Sequence, residues 1–105
     1  MADYIYLMHP LRHEFFDSPT PQEDAMMEAH FEYLKQATED GMVVLAGPCL
    51  DGTFGVVVFR AENDLAARTF MLNDPAVKSN VMIAEIHPMK ISLMNSFTSS
   101  YNRKC

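Results

Sequence analysis

A chain of 105 residues, 49% apolar and 21% charged with a formal net charge of −6, has the size and composition of one globular domain, which excludes disordered and fibrous proteins. Its basic residues are scattered, which argues against nucleic-acid binding, and its longest apolar runs are too short to cross a bilayer. Because Asp3 stands where a signal peptide needs basic residues, and only two cysteines are present, we expect a cytoplasmic protein with reduced thiols.

The first predicted elements are a short strand and a long helix, joined by a loop. Residues 4–8 are rich in aromatic and branched side chains, which indicates a strand. Residues 10–20 are expected to form a loop that is longer than the usual connection of about 4–6 residues, as functional loops often are. Thr20 is the expected helix cap, Pro21 suits the first helical position and Glu23 completes a capping box.

One face of this first helix is predicted to be buried. His30 lies near the middle of that face, and Gly41 provides a stop for the helix. A titratable ring on an apolar face needs a polar partner or a water-filled pocket, so His30 is the first candidate for chemistry. The alternative is a core histidine that is hydrogen-bonded to the backbone. The other members of the predicted face are Met26, Met27, Phe31, Leu34 and Ala37.

The second half of the chain continues the alternation of strands and helices. Pro75 excludes Asp74 from helical geometry and so ends the second helix. We expect residues 1–94 to form a single domain and residues 95–105 a loosely held polar tail. The sequence does not decide whether the last strand continues over residues 90–93. The predicted elements are strands at 42–46 and 53–60 around a turn at Asp51-Gly52, a helix at 64–73 capped by Asn63, and a strand at 81–86.

The order β-α-β-β-α-β predicts an α+β fold, the ferredoxin-like two-layer sandwich, in which both helices cover one face of a four-stranded antiparallel sheet. The third strand is nevertheless apolar on both faces, because Val56 and Val58 alternate with Val57 and Phe59. Two helices cover only one face, so the other face would stay exposed unless a second subunit buries it. We therefore expect a homodimer formed by sheet-to-sheet packing.

Asp74 is the second candidate for chemistry. The Asp-Pro sequence places it at the end of the second helix, where connecting segments of such a fold come together. The alternative is an aspartate that serves only the turn or the helix end. No phosphate-binding glycine loop or dinucleotide fingerprint is present, so we expect no cofactor.

Four other residues carry weaker signals. His9 and His13 have a spacing that suits a metal on a helix, but Pro10 intervenes and no further ligand completes the set, so we expect no metal. Cys49 is better interpreted as an ordinary thiol than as a nucleophile, because the sequence places no base beside it. His87 is interpreted as structural.

Taken in order, several of these segments resemble the YCII family of small dimeric proteins. The family pattern is a histidine and a leucine in the first helix, a glycine, an Ala-Gly-Pro strand end, a glycine in the next strand, and Asp-Pro after the second helix. The resemblance covers about residues 4–90. The matching segments are His30-Phe31-Glu32-Tyr33-Leu34, Gly41, Leu45-Ala46-Gly47-Pro48, Asp51-Gly52, Gly55 and Asn73-Asp74-Pro75.

The resemblance implies a dimeric α+β barrel with a His-Asp dyad, carried here by His30 and Asp74. A related member removes chloride from a chlorinated hydroxyquinol, and muconolactone isomerase is similar in architecture. Together they imply cofactor-free proton transfer on a small cyclic or aromatic compound, with His30 as general acid/base and Asp74 orienting it. The alternative is a non-catalytic dimer that binds a small ligand or scaffolds a partner. The expected ligand-binding residues are Met27, Leu34, Gly47 and Pro48.

The chain also departs from the family pattern. Met26 stands where an arginine is common, one turn before the histidine. After Asp-Pro, where an aromatic residue and then a glycine are common, the chain has Ala76, Ser79 and Asn80. The loop at residues 10–20 is also longer than usual, so the substrate class does not follow from the resemblance alone.

Overall fold

The computed structural model describes residues 1–95 of the chain. Its elements are β1 (Ala2–Pro10), α1 (Pro21–Glu39), β2 (Val43–Pro48), β3 (Gly55–Ala61), α2 (Asp64–Leu72), α3 (Pro75–Lys78) and β4 (Met82–Met89). This order confirms the predicted β-α-β-β-α-β arrangement, to which α3 is a short addition. The predicted tail at residues 95–105 lies outside the described residues, apart from Asn95.

The four strands form one antiparallel sheet with the order β2-β3-β1-β4. In this sheet Tyr6 of β1 lies opposite Val57 of β3 and Ile86 of β4. Alternate residues, such as Tyr4 and Tyr6, are buried on the side that carries the helices. This is the predicted ferredoxin-like α+β sandwich. The helices contribute Leu34, Ala37, Ala67, Met71 and Ala76 to its core.

β1 and β4 are longer than predicted. β1 runs from Ala2 to Pro10 because β3 and β4 pair with it along both sides. β4 continues through Pro88 to Met89, but the possible continuation over 90–93 is not a strand. Proline is tolerated in β4 because the strand lies at the edge of the sheet, where one side of its backbone needs no strand partner.

The start of α1 has the predicted capping box. The Glu23 backbone N–H donates to Oγ1 of Thr20 at 3.1 Å, and the Thr20 backbone N–H donates to Oε1 of Glu23 at 2.8 Å. Pro21 occupies the first turn, as expected. These bonds satisfy backbone donors that an uncapped helix would leave free, and they determine where the helix carrying His30 begins.

The predicted buried face of α1 is correct at Leu34 and Ala37 and wrong at Phe31. Phe31 is 65% exposed, because one residue is a 100° step that turns its side chain away from the line joining His30 and Leu34. No helix among residues 1–95 is long and apolar enough to cross a membrane.

The sheet has a second apolar face, which we call the outer face. It consists of Ile5, Leu7, Val56 and Val58, which are all partly exposed, whereas Val57 between the last two is 1% exposed. Tyr4 and Tyr6 bond to Asp64 and Asp74 at the helix layer, so the outer face lies on the opposite side of the sheet. The predicted two-sided apolar strand is therefore present.

Candidate active site

The candidate site combines side chains from β1, from α1 and from the residue before α3. Nδ1 of His30 lies 2.8 Å from both carboxylate oxygens of Asp74. The Tyr6 hydroxyl donates to Oδ2 of Asp74 at 2.6 Å. Asp74 is fully buried, whereas 13% of the His30 side chain is exposed. The two residues expected to be catalytic are thus in direct contact, and Tyr6 is a third member.

Pro75 and α3 hold Asp74 in position. Asp74 has φ −60° and ψ 124°, the extended geometry expected before proline. Its Oδ1 accepts a hydrogen bond from the Ala76 backbone N–H at 3.0 Å, so the carboxylate caps α3 while it contacts His30. Asp74 therefore has both expected roles, because it caps a helix end and also contacts His30.

The hydrogen bonds around Asp74 favour the His30 tautomer that carries its proton on Nδ1. Burial and the charge of Asp74 raise the pKa of Tyr6 well above its ordinary value, so Tyr6 remains a donor. A carboxylate that accepts from Tyr6 and from the Ala76 N–H is suited to accept from Nδ1–H of His30 as well. In a neutral imidazole this leaves Nε2 with a free lone pair.

A second tyrosine lies near this charge. Burial, followed by the charge of Asp74, raises the pKa of Tyr33 to about 12. The Tyr33 hydroxyl donates to the Phe70 carbonyl oxygen at 2.9 Å, and the two rings stack with centroids 5.1 Å apart. Tyr33 therefore stays neutral at physiological pH, and the negative charge beside His30 belongs to Asp74.

A cavity of about 800 Å³ opens in front of His30. His30 lines this cavity and Asp74 does not, so the imidazole ring lies between the buried carboxylate and the open space. This volume falls within the usual range for small-molecule sites. The four residues predicted to bind a ligand also line the cavity, but their contact with a ligand remains a prediction. They are Met27, Leu34, Gly47 and Pro48.

Comparison with known families identifies the chain. Residues 4–90 match the YCII-related domain. The chain belongs to the YCII-related family. This confirms the resemblance seen in the sequence, and the match contains both His30 and Asp74.

A solved structure is similar to this YCII-related domain in fold. It is the 5-chloro-2-hydroxyhydroquinone dehydrochlorinase TftG from Burkholderia phenoliruptrix AC1100, in complex with 2,5-dihydroxybenzoquinone. The similarity has a TM-score of 0.63 at 18% sequence identity and covers 83% of this chain and 93% of that one. Among curated proteins, none matches the chain. At this identity the likeness supports the fold alone.

In this YCII-related domain the turn that follows α3 contains a residue with a glycine-like conformation. Asn80 has φ 63°, the left-handed region that asparagine tolerates better than most residues. Val81, which follows Asn80, accepts a hydrogen bond from the Leu11 N–H at 3.0 Å. Asn80 therefore allows the chain to turn into β4, where Val81 is held against the end of β1.

Several residues of the site were not predicted from the sequence. Tyr6 carried a usable signal, since a tyrosine in the middle of a buried strand needs a partner for its hydroxyl group. Phe15 and Phe16 had no such signal, because they lie in a loop without periodicity. The missed residues that line the cavity include Met8, Phe15, Phe16, Lys35, Phe54 and Met82.

Of the four weaker candidates, three do not line the cavity. His9 and His13 are exposed, and residues 1–95 contain no group of three or more side chains suited to a metal. His87 is also exposed, and its Nε2 lies 2.6 Å from Oε2 of Glu85. The exception is Cys49, which is exposed and lines the cavity.

Proposed function

We propose that this YCII-related domain is a cofactor-independent lyase- or isomerase-like enzyme that moves a proton on a small cyclic or aromatic compound. The observation that carries the proposal is the contact between Nδ1 of His30 and the buried carboxylate of Asp74, at 2.8 Å, beside an open cavity. That contact orients the imidazole and leaves Nε2 for the substrate.

In the proposed reaction, Nε2 of His30 takes a proton from a carbon or oxygen of the ring substrate. The electron pair released moves into the conjugated system of the substrate, and the charge of Asp74 stabilises the resulting imidazolium. Return of the proton to a different atom completes an isomerisation. If a neighbouring carbon carries a leaving group such as chloride, that group departs with its bonding pair and the reaction is an elimination.

The walls of the cavity support a substrate of this class. They are formed largely by methionine, phenylalanine and small apolar residues, which suit an apolar ring. TftG, which is similar in fold, is named as a dehydrochlorinase of a hydroxylated ring and is bound to 2,5-dihydroxybenzoquinone. The walls favour an apolar ring, and the likeness to TftG favours one that carries hydroxyl groups.

We also propose that the enzyme is a homodimer that packs through the outer face. Ile5, Leu7, Val56 and Val58 form an apolar surface that the helices described here leave uncovered. Burial of such a surface against a second copy removes it from water, and the same patch on both subunits satisfies twofold symmetry. Sheet-to-sheet packing of this kind produces a dimeric α+β barrel.

Proton transfer is testable without knowledge of the natural substrate. In D2O, an acid/base enzyme should speed deuterium incorporation at ring carbons of 2,5-dihydroxybenzoquinone or 1,2,4-trihydroxybenzene, followed by ¹H NMR under nitrogen. The His30→Gln variant should lose about 100-fold or more of the protein-dependent rate, the usual contribution of a general base. Its circular dichroism spectrum should stay native.

The matched control is His87→Gln, because His87 is an exposed histidine that does not line the cavity. It should exchange at the wild-type rate. Wild-type exchange in His30→Gln would contradict the acid/base role. Tight binding of these rings without any enhanced exchange would instead support the non-catalytic binding alternative.

A further inference from the structure

The long loop predicted at residues 10–20 spans residues 11–20 in the structure, because β1 ends at Pro10, and it is anchored to α1. We call it the strap. Nε and Nη2 of Arg12 donate to the two carboxylate oxygens of Glu23 at 2.8 and 2.7 Å, which is a bidentate ion pair. The same guanidinium donates to the Ser18 carbonyl oxygen, so one side chain ties together both ends of the strap and the start of α1.

The strap carries two aromatic rings into the cavity wall. Phe15 and Phe16 meet edge to face, with ring centroids 5.1 Å apart and an interplanar angle of 83°. Phe15 packs against the core, whereas Phe16 is 62% exposed. Across the cavity mouth, a methyl group placed on Gly52 would lie 3.8 Å from Cε2 of Phe16. The strap therefore reaches the turn between β2 and β3.

Three phenylalanine residues line this cavity and are exposed to solvent. Phe16 of the strap, Phe31 of α1 and Phe54 before β3 are 62%, 65% and 41% exposed. Their flat faces favour offset or edge-to-face contact with another π system, beyond the gain from burying apolar area. A puckered saturated ring offers no such face.

We propose that Phe16 is a specificity-determining residue, held in place by Arg12 and Glu23, that makes the His30 cavity select planar conjugated rings over puckered saturated rings. The proposal rests on the proposed function and names its substrate class. Arg12 is a positioning residue here, because it acts through the strap and is bound to Glu23.

The test compares two neutral probes with the same pattern of hydroxyl groups, 1,2,4-trihydroxybenzene and cyclohexane-1,2,4-triol. Their dissociation constants are measured by ¹H–¹⁵N chemical-shift titration under nitrogen. The wild-type protein should bind the planar probe about three- to tenfold more tightly, the range expected for aromatic pairing. Equal affinity for the two probes, or no binding of either, would overturn the proposal.

Two substitutions of Phe16 separate ring stacking from apolar bulk. Phe16→Ala should reduce the preference to about twofold or less, and Phe16→Leu should do the same because leucine is bulky but has no π face. The control Leu65→Ala removes an exposed apolar side chain of α2 outside the cavity and should keep the wild-type preference. If Phe16→Leu kept the full preference for the planar probe, stacking on Phe16 would not be its cause.

The positioning role of Arg12 has its own signature. Arg12→Gln should lose the preference to the same extent as Phe16→Ala, and the double variant should lose no more than either single variant. If Arg12→Gln does not fold, Glu23→Gln serves in its place, since it removes the other half of the contact. Additive losses in the double variant would mean that Arg12 does not act through Phe16.

Failure of this proposal is distinguishable from failure of the proposed function. His30→Gln should lose about 100-fold or more of the deuterium exchange, whereas Phe16→Ala should lose the preference for the planar probe and keep the pH dependence of the remaining exchange. If the wild-type protein shows no exchange, the enzyme proposal fails and the ratio of the two dissociation constants still decides the role of Phe16.

Discussion

At the scale of single residues, Asp74 stands out because a buried charge is costly unless polar partners surround it. Tyr6, the Ala76 N–H and Nδ1 of His30 all contact its carboxylate, and no part of the side chain is exposed. Hydrogen bonds to an ionised group are stronger than those between neutral groups, which offsets the loss of hydration. Asp74 therefore serves the fold and the proposed chemistry together.

The Asp74→Asn variant tests this double role. It keeps the shape but presents an amide N–H₂ group to an environment of donors, so we expect a loss of about 1–3 kcal/mol in the free energy of unfolding. Without the negative charge, the variant should also exchange deuterium more slowly, because the imidazolium formed in the proposed reaction loses its stabilising carboxylate. Urea unfolding and the deuterium-exchange assay measure the two effects. Asp17→Asn, at an exposed position in the strap, is the control.

The Tyr6→Phe variant removes only the hydroxyl group that donates to Asp74. The aromatic ring and its edge-to-face contact with Phe59 remain, while Asp74 loses the donor at 2.6 Å. A hydrogen bond to a charged group contributes about 1.5–3 kcal/mol, so the free energy of unfolding should fall by about that amount. Unchanged stability in urea unfolding would mean that the bond is offset by the cost of burying the hydroxyl group.

At the scale of elements, the start of α1 is where local and tertiary interactions meet. The capping box joins Thr20 to Glu23 within the helix, and Arg12 binds the same carboxylate from the strap. The contact with Arg12, followed by the bonds from Thr20, lowers the pKa of Glu23 to about 2 from an ordinary value of 4.5. The ionised form of Glu23 is thus favoured by folding.

This shift predicts how stability depends on acid. Because the folded pKa is depressed, the contribution of Glu23 is fully present above about pH 4.5 and is lost as the pH falls toward about 2. Over that window the free energy of unfolding should fall more in the wild-type protein than in Glu23→Gln, which should be less stable at neutral pH. Urea unfolding at several pH values measures both curves. Glu32→Gln, on the exposed side of α1, should follow the wild-type curve.

At the scale of the whole molecule, the outer face decides whether a single chain is the functional unit. Val58 and Ile5 lie directly opposite each other at its centre, and both side chains are only partly buried. In the proposed dimer an aspartate at this point would be an unpaired charge within an apolar interface. Such a charge costs several kcal/mol, which is enough to prevent association.

We therefore expect the wild-type protein to be a dimer of 11.9 kDa chains and Val58→Asp to be a monomer or to aggregate. Size-exclusion chromatography with light scattering measures the mass. Leu65→Asp, at an exposed position of α2, should remain a dimer and controls for the added charge. A wild-type mass of one chain at micromolar concentration would contradict the dimer proposal.

What the sequence alone determined concerns interactions between residues that are close in the chain. The capping box spans four residues, and alternation along β3 correctly separated Val57 from Val56 and Val58. Such patterns are set by the geometry of a single helix or strand, so they are readable without the rest of the molecule. For His30 and Asp74, the sequence contributed a resemblance to a family, and no local pattern connected the two residues.

Only the tertiary structure decided which distant residues meet. His30 and Asp74 are 44 positions apart, and Tyr6 and Asp74 are 68 apart. Their contact depends on how α1 and α3 pack over the centre of the sheet, which no local periodicity encodes. The same packing decided that Phe31 lines the cavity and that the strap brings Phe16 to Gly52. The surroundings of such side chains are set by the elements that pack around them, and no repeat in the sequence indicates them.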